Sequence, residues 1–331
     1  MDQLTIIVPI DLKERPKDIL QKVSRISEYS ENNKTKAVFG VNNRKTKYEE
    51  KLSALLEEKK YSGIVWIENG SSAVNNSKLR NAAFESVTTE YILILDVDIW
   101  PDLKIIDNYY QKIVSRLEPF YIIPCLYLSR NGTGKLEQRL LSPKQIIDRF
   151  FNFSRREFLH LASPSSITFL RSTDYRKIKG FDENYEGHGY EDFDFLIRLC
   201  ELHNLLGECR NFQKTNASRS PIFATGFRSA LGRLCIPQLI QRDYMLHMHH
   251  HKSQNDYQEQ RQLNHKRFFK KFRNLDRSSS SADCTLITPF VQYCNEHNVN
   301  VEDYSILFDN KPGHVDRFDT FRRRLRFLIN G

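Results

Sequence analysis

Short apolar runs alternate with amphipathic segments along the first hundred residues of the chain. Each run is three to five residues long, which is typical of a strand buried on both faces of a parallel sheet. The runs are Leu4–Val8, Ala37–Phe39, Ile64–Ile67 and Tyr91–Leu95. Between them, apolar residues recur at helical spacing near residues 19–26, 48–58 and 79–86. This order predicts an α/β fold with a mixed, mainly parallel sheet and helices on both faces.

The rest of the chain is less regular. Strands are predicted at residues 121–123 and 166–170, and a helix with one apolar face is predicted at residues 192–203. From residue 255 the sequence becomes polar and then basic, and the serines at 278–281 indicate a linker. We therefore expect a main domain over residues 1–255 and a basic, mainly helical C-terminal extension over residues 256–331.

Composition narrows the class of protein. The 331 residues are 40% hydrophobic, which excludes a disordered chain, and no apolar run approaches the roughly 18 residues of a spanning helix. The N-terminus lacks the basic region of a signal peptide. Six cysteines are scattered without a Cys-x-x-Cys pair, which favours reduced, packed thiols. These features predict a cytoplasmic protein.

The formal net charge of +9 is concentrated near the C-terminus. Residues 265–277 carry +5 and residues 316–326 carry +3, so the remainder of the chain is close to neutral. A basic chain could bind nucleic acid, an anionic membrane or a phosphorylated ligand. Because the charge lies in a tail with interleaved Phe and Leu, we favour contact with an anionic membrane or a partner enzyme over nucleic acid. A merely solvated basic helix face is the simpler alternative.

Two carboxylates follow the fourth predicted strand. In an extended chain, alternation would point Asp96 and Asp98 the same way, at the sheet edge where ligands bind. Convergent carboxylates without a basic partner suit Mg²⁺ or Mn²⁺. An acidic turn with no ligand is the alternative explanation.

Two later segments support a metal-dependent site. Residues 187–194 place three acids at a helix start after two glycines, although negative charge there would also complement the helix dipole. Residues 247–251 contain four histidines, and a strand would put His247, His249 and His251 on one face. An imidazole suits Mn²⁺ or Zn²⁺ as a further ligand, though any single histidine is more often structural.

These motifs together resemble a known family. Residues 4–255 resemble nucleotide-sugar glycosyltransferases of the GT-A fold, with an N-terminal part similar to bacterial family 2 polysaccharide synthases. The later part is similar to the β-1,4-galactosyltransferase and chondroitin-polymerase type. The residues that carry the resemblance are Ile6–Pro9, Glu68–Ser71, Leu79–Ala83, Asp96–Asp98, Ser166–Leu170, Lys179–Glu183 and Gly189–Asp192.

The resemblance implies a role for each matched position. Implied donor-binding residues are Pro9, Asp11, Arg15, Glu68, Arg80, Asp96, Val97 and Asp98, with Glu68 at the uracil or ribose and Arg80 reaching toward the diphosphate. Asp192 is the implied general base, and Glu191 binds the acceptor or donor sugar. His188 and Tyr190 are implied acceptor contacts, with His188 where a Trp is usual. The implied metal, Mn²⁺ or Mg²⁺, is held by Asp98 and a histidine among His247, His249 and His250, with His247 favoured.

The implied reaction is transfer of a hexose or N-acetylhexosamine from a UDP-sugar, with inversion, to a hydroxyl of a bacterial surface glycan in a capsule or lipopolysaccharide pathway. Its acceptor is a glycan or lipid-linked glycan, and its location is cytoplasmic or peripheral on the inner membrane face. A metal-dependent nucleotidyltransferase acting on a sugar phosphate is the alternative. That class would need a glycine-rich loop after the first strand, and residues 9–15 contain no glycine. A nucleic-acid-binding protein and a non-catalytic binding module are less favoured.

Overall fold

The computed structural model describes residues 3–68, 73–206, 211–215, 220–250, 257–275 and 285–309. The chain divides into two compact units, and it passes from one to the other several times. The first unit comprises Met1–Tyr121, Ser166–Leu205 and Lys252–Phe272. The second comprises Ile122–Ser165, Leu206–His251 and Arg273–Gly331. The division at residue 255 into a catalytic domain and an extension stays a prediction.

The elements are numbered along the whole chain. They are β1 (Leu4–Ile10), α1 (Pro16–Asn33), β2 (Lys36–Asn42), α2 (Lys47–Leu56), β3 (Ser62–Ile67), α3 (Asn76–Glu85), β4 (Tyr91–Ile94), β5 (Ile99–Trp100), α4 (Leu103–Val114), β6 (Phe120–Ile122), β7 (Cys125–Leu128), α5 (Arg130–Glu137), α6 (Pro143–Phe151), β8 (Phe158–Ala162), β9 (Thr168–Arg171), α7 (Ser172–Lys177), α8 (Glu191–Leu202), α9 (Phe227–Arg233), α10 (Ile236–Gln241), β10 (Met245–His247), α11 (Tyr257–Lys271), α12 (Ile287–Glu296) and α13 (Ser305–Phe308).

The first unit contains a six-stranded sheet in the order β3-β2-β1-β4-β9-β6. Strands β1 to β4 are mutually parallel, and β9 pairs with β4 in the antiparallel sense. The chain adds β2 and then β3 on one side of β1, and it returns through α3 to add β4 on the other side. Because such crossovers are right-handed, this reversal places α3 on the sheet face opposite α1 and α2. The predicted α/β fold with a mainly parallel sheet is confirmed.

Local sequence explains how α1 and α3 reach their positions. Helix α1 begins with Pro16, which suits a first turn, and its buried face includes Ile19, Val23 and Ile26. Helix α3 packs directly on β2 at Gly40, where a Cβ atom would collide with the backbone of Leu79. The glycine therefore sets how closely α3 approaches the sheet.

The second unit contains the strands β10, β7 and β8 in that order, with β10 parallel and β8 antiparallel to β7. Its core includes the aromatic residues Phe150, Phe158 and Tyr244. Strand β10 ends at His247, and residues 248–250 are not in a strand, so strand alternation does not apply to His249 and His250. His251 lies outside the described residues.

The four cysteines within the described residues are buried and reduced: Cys125, Cys200, Cys235 and Cys294. Cys209 and Cys284 lie outside the described residues, as does the basic stretch at 316–326. Among the parts of the chain that the structure describes, no helix is both long and apolar enough to cross a membrane.

Candidate active site

Acidic and basic side chains follow the two neighbouring strands β1 and β4. Asp11 and Arg15 come after β1, and Asp96 and Asp98 come after β4. The direction of strand addition reverses between these two strands, so the loops that leave their carboxyl ends diverge and open a crevice. The predicted donor-site residues therefore follow strands whose ends form the usual ligand site of an α/β sheet.

Asp98 is the centre of a buried ionic cluster. Its side chain is 7% exposed, and Arg15 donates hydrogen bonds to both oxygens, at 2.6 Å from Nη1 and 2.5 Å from Nη2. The buried Lys22 ammonium lies 2.7 Å from Asp98 Oδ1 and 2.9 Å from the Asp18 carboxylate. Two cations thus balance two carboxylates where α1 begins.

The expectation that Asp96 and Asp98 point the same way is wrong. The Ile99 amide donates to the Asp96 carbonyl at 3.0 Å, so the chain turns here instead of staying extended. Asp96 accepts hydrogen bonds from Arg80 at 2.7 Å and from Ser166 Oγ at 3.0 Å, whereas Asp98 is held by the cluster on α1. The assumption that these carboxylates have no basic partner is also wrong.

Arg80 joins Asp96 to the predicted general base. Its Nη2 lies 2.7 Å from Asp96 Oδ1, and its Nη1 lies 3.0 Å from Asp192 Oδ1. The side chain is 1% exposed, its guanidinium carbon lies 4.7 Å from the centre of the Phe181 ring, and its buried Nε has no hydrogen-bond partner. Sequence resemblance predicted that Arg80 reaches the diphosphate. Because both terminal nitrogens bind carboxylates, the structure favours a role in holding Asp96 and Asp192.

Three carboxyl groups surround the single charge of Arg80. Burial raises the pKa of Asp192 and of Glu191, and the neighbouring carboxylates raise both further, while Arg80 opposes the rise. Glu191 is buried, and its Oε2 has no hydrogen-bond partner. The side chain of Asp192 is 29% exposed to solvent. A partly accessible carboxylate with a raised pKa is well suited to accept a proton near neutral pH.

The remaining implied donor contacts differ in accessibility. The Asp11 side chain is 6% exposed and accepts hydrogen bonds from Asn42 and Arg44, the shortest at 2.6 Å. Pro9 and Val97 are also buried. Glu68 is 70% exposed, and its ion pair with an exposed lysine is the kind that contributes little to stability. Their roles in donor binding stay predictions.

The implied acceptor contacts lie just before α8. His188 is exposed, as a side chain that meets an acceptor would be. Tyr190 is 8% exposed, and its ring packs against Phe268 and His265, with centroid distances of 5.3 and 5.4 Å. This packing favours a structural role for Tyr190, and its acceptor role stays a prediction.

His247 is held in a stack of rings within the second unit. Its ring lies parallel to Tyr127 at a centroid distance of 4.0 Å, and Tyr127 stacks on His160 at 4.1 Å. His247 Nδ1 lies 2.8 Å from the Met248 carbonyl oxygen. Because a carbonyl only accepts, Nδ1 carries the proton, which leaves the lone pair of the neutral ring on Nε2. This tautomer is the one that a metal ligand bound through Nε2 requires.

The other two implied metal histidines are placed differently. The His250 ring centre lies 5.4 Å from that of His247, and the His249 amide donates to Thr133 Oγ1 at 2.7 Å. All three histidines belong to the second unit and Asp98 belongs to the first. The metal set of Asp98 with one of these histidines stays a prediction.

Sequence reasoning missed Lys22 and Ser166. Lys22 lies between Ile19 and Val23 on the apolar face of α1, and Asp18 is four residues before it. A lysine on an inward face, with an acid one turn away, signals a buried ion pair. Ser166 carried no comparable signal, because its contact with Asp96 depends on the pairing of β9 with β4.

Solved structures with a similar fold include glycosyltransferases. Residues 1–349 of S. aureus TarS match at 13% identity with a TM-score of 0.40, covering 60% of this chain and 55% of that one. The same TarS fragment in complex with UDP matches at 15% identity, with the same TM-score and coverage. The mannosyltransferase PcManGT from Pyrobaculum calidifontis, in complex with GDP-Man and Mn²⁺, matches at 11% identity with a TM-score of 0.41, covering 92% and 73%.

The aligned region thus spans about half of the TarS fragment. No curated protein matches the chain. The model of glycosyltransferase-like family 2 matches residues 5–274, which is most of the 331 residues. This match confirms the predicted glycosyltransferase class, while the finer likeness to the β-1,4-galactosyltransferase and chondroitin-polymerase type stays a prediction. The chain belongs to glycosyltransferase-like family 2.

Proposed function

We propose that the protein is a metal-dependent, inverting glycosyltransferase that moves a hexose or N-acetylhexosamine from a UDP-sugar to an acceptor hydroxyl. The acceptor is a growing bacterial surface glycan, free or lipid-linked, as in capsule or lipopolysaccharide synthesis. The observation that carries the proposal is the cluster of Asp96, Arg80, Asp192 and Glu191 in a chain of this family.

Asp192 acts as the general base. Its raised pKa and partial exposure allow it to accept the proton of the acceptor hydroxyl as that oxygen attacks the anomeric carbon. The attack comes from the side opposite the departing nucleoside diphosphate, so a single displacement inverts the configuration. Arg80 holds Asp192 and Asp96 together through one rigid guanidinium, which fixes the base before substrate arrives.

The residues present fit a divalent cation by donor chemistry. Asp98 supplies carboxylate oxygens, and His247 supplies an imidazole in the tautomer that ligates through Nε2. When bound, Mn²⁺ or Mg²⁺ would supply positive charge to the diphosphate leaving group. Arg15 and Lys22 already share the oxygens of Asp98, so these cations hold its carboxylate in place and compete with a metal ion.

A donor screen tests the proposed reaction. UDP release is measured across a panel of UDP-sugars with Mn²⁺, and the expected result is turnover with at least one of them. Asp192→Asn should abolish transfer while leaving UDP binding nearly unchanged, because Asp192 acts on the acceptor. Retained turnover in this variant would refute the assignment of Asp192 as the general base. Equal UDP affinity with and without EDTA, measured by calorimetry on the parent protein, would refute the proposed metal dependence.

A matched measurement addresses the nucleotidyltransferase alternative. The segment after β1 offers no glycine-rich phosphate loop, and its Asp11 pairs with Arg44, which follows β2, at 2.6 Å. We therefore expect no pyrophosphate release from UTP and sugar 1-phosphates under conditions that support UDP release from a UDP-sugar.

A further inference from the structure

Helix α11 covers the segment that leads to the proposed base. Arg261, Asn264, Phe268 and Lys271 recur at spacings of three and four residues, so they form one stripe along the helix. Each of them contacts a residue between positions 182 and 194. The family match also extends through α11 to residue 274. The helix thus packs on the segment that carries the proposed base.

Polar contacts attach α11 on both sides of the acidic pair Glu191 and Asp192. Asn264 is 1% exposed, and its Nδ2 donates to the Glu186 carbonyl at 2.8 Å. On the other side of the pair, the fully buried carboxylate of Asp194 lies 2.6 Å from Lys271 Nζ. Because Asn264 and Asp194 are buried, water replaces their lost partners poorly.

The segment before Asp192 has a backbone that needs such support. Gly187, Gly189 and Tyr190 have φ values of 70°, 93° and 74°, in the left-handed region that a tyrosine rarely adopts. The Tyr190 ring is packed against Phe268 of α11. Contacts with the helix therefore stabilise the left-handed backbone of Tyr190, which a tyrosine disfavours.

Helix α3 holds the same segment from its other side. The Asn75 side chain donates to the Glu183 carbonyl at 2.8 Å, and the Gly187 amide donates to the Val74 carbonyl at 2.7 Å. Since Arg80 of α3 also binds Asp192, both the base and its preceding segment are fixed relative to α3. Asn264 completes this arrangement from α11.

We propose that Asn264 is a positioning residue for Asp192, acting through the backbone of residues 186–190. The inference rests on the proposed function, in which Asp192 is the base. Loss of the Asn264 amide leaves the Glu186 carbonyl without its donor and frees the left-handed segment to move. Donor binding, which depends on other residues, stays intact.

The test compares Asn264→Leu, which removes the donor at similar size, with Asn264→Gln, which keeps an amide. Gln262→Leu, on an exposed position of α11, is the matched control. UDP release from the UDP-sugar selected by the donor screen is measured with water as the acceptor whose proton Asp192 takes, and backbone hydrogen exchange is followed over residues 182–192. We expect Asn264→Leu to lower kcat at least tenfold with KM for the donor within twofold, and to speed exchange in that segment. Asn264→Gln should recover most of kcat, and Gln262→Leu should match the parent.

Unchanged kcat or unchanged exchange in Asn264→Leu would overturn the proposal. So would a loss of kcat matched by an equal loss of UDP affinity, since that marks general damage to the fold. Asp192→Asn is measured in parallel. If it retains turnover, the base assignment fails, and the exchange data still report whether α11 orders the segment. If it is inactive while Asn264→Leu is normal, the positioning role alone fails.

Discussion

Replacing Arg80 by Met tests the view that one buried cation holds the acidic cluster together. The variant keeps a side chain of similar length but removes hydrogen bonds to Asp96 and Asp192. A hydrogen bond to a charged group contributes about 1.5–3 kcal/mol, and removing one partner of a buried ion pair costs about 3–5 kcal/mol. Asp96 and Asp192 keep 30% and 29% exposure, so water offsets part of the loss. We expect the free energy of unfolding to fall by about 3 kcal/mol at pH 7.

Urea unfolding followed by tryptophan fluorescence measures this change. Both tryptophans, Trp66 and Trp100, belong to the first unit, so the signal reports the unit that contains Arg80. Lys36→Met, which removes an exposed cation from the same unit, is the control and should cost under about 0.5 kcal/mol.

The pH dependence makes the test specific. Arg80 opposes the burial that raises the pKa values of Asp192 and Glu191, so without it these folded pKa values rise further above their unfolded values. The added loss of stability is complete above the variant's folded pKa and diminishes as the pH falls to the parent's folded pKa, which is about 8 for Asp192. The gap in the free energy of unfolding between variant and parent should therefore narrow as the pH falls through about 8 toward 7. A gap below about 1 kcal/mol at pH 7, or one that does not narrow, would refute the reasoning about buried charge.

Three further predictions concern the same site. The raised pKa of Asp192 should place the acidic limb of the kcat–pH profile above the usual aspartate range, and a midpoint near 4 would contradict this. Glu191→Gln removes a buried carboxylate with an unpaired oxygen, so the free energy of unfolding at pH 7, measured by urea titration, should rise by about 1 kcal/mol. The rate of transfer, measured by UDP release, should fall. Lys22→Met removes a cation 2.7 Å from Asp98, so calorimetry should show Mn²⁺ binding tightened about threefold or more, whereas Asp98→Ala weakens it. Unchanged Mn²⁺ affinity in folded Lys22→Met would count against Asp98 as a ligand.

The alternation of strands and helices up to β4 could be predicted because each buried strand leaves a continuous apolar run. The directions of Asp96 and Asp98 could not be predicted, because one backbone hydrogen bond, from the Ile99 amide to the Asp96 carbonyl, turns the chain. Nothing in the Asp96–Asp98 tripeptide signals this turn. The role of α11 was also hidden. Its stripe mixes Asn, Phe and Lys, so hydrophobic periodicity does not reveal it, and its partners lie more than seventy residues earlier. Short-range patterns thus predicted the scaffold, while the contacts that orient the acids depend on distant segments.

The interleaving of the two units has a consequence for the order of folding. Strand β9, which covers the free edge of β4, is synthesised only after residues 122–165 of the second unit, and α11 follows another excursion through residues 206–251. During translation, the parallel strands β1 to β4 therefore emerge with the four-residue edge of β4 unpaired, and an unpaired strand edge favours association with other chains. The first unit is complete only after its third segment, Lys252–Phe272, has been synthesised. Folding of the chain should accordingly be slower than its size suggests, and more dependent on chaperones than that of a protein whose domains follow one another in sequence.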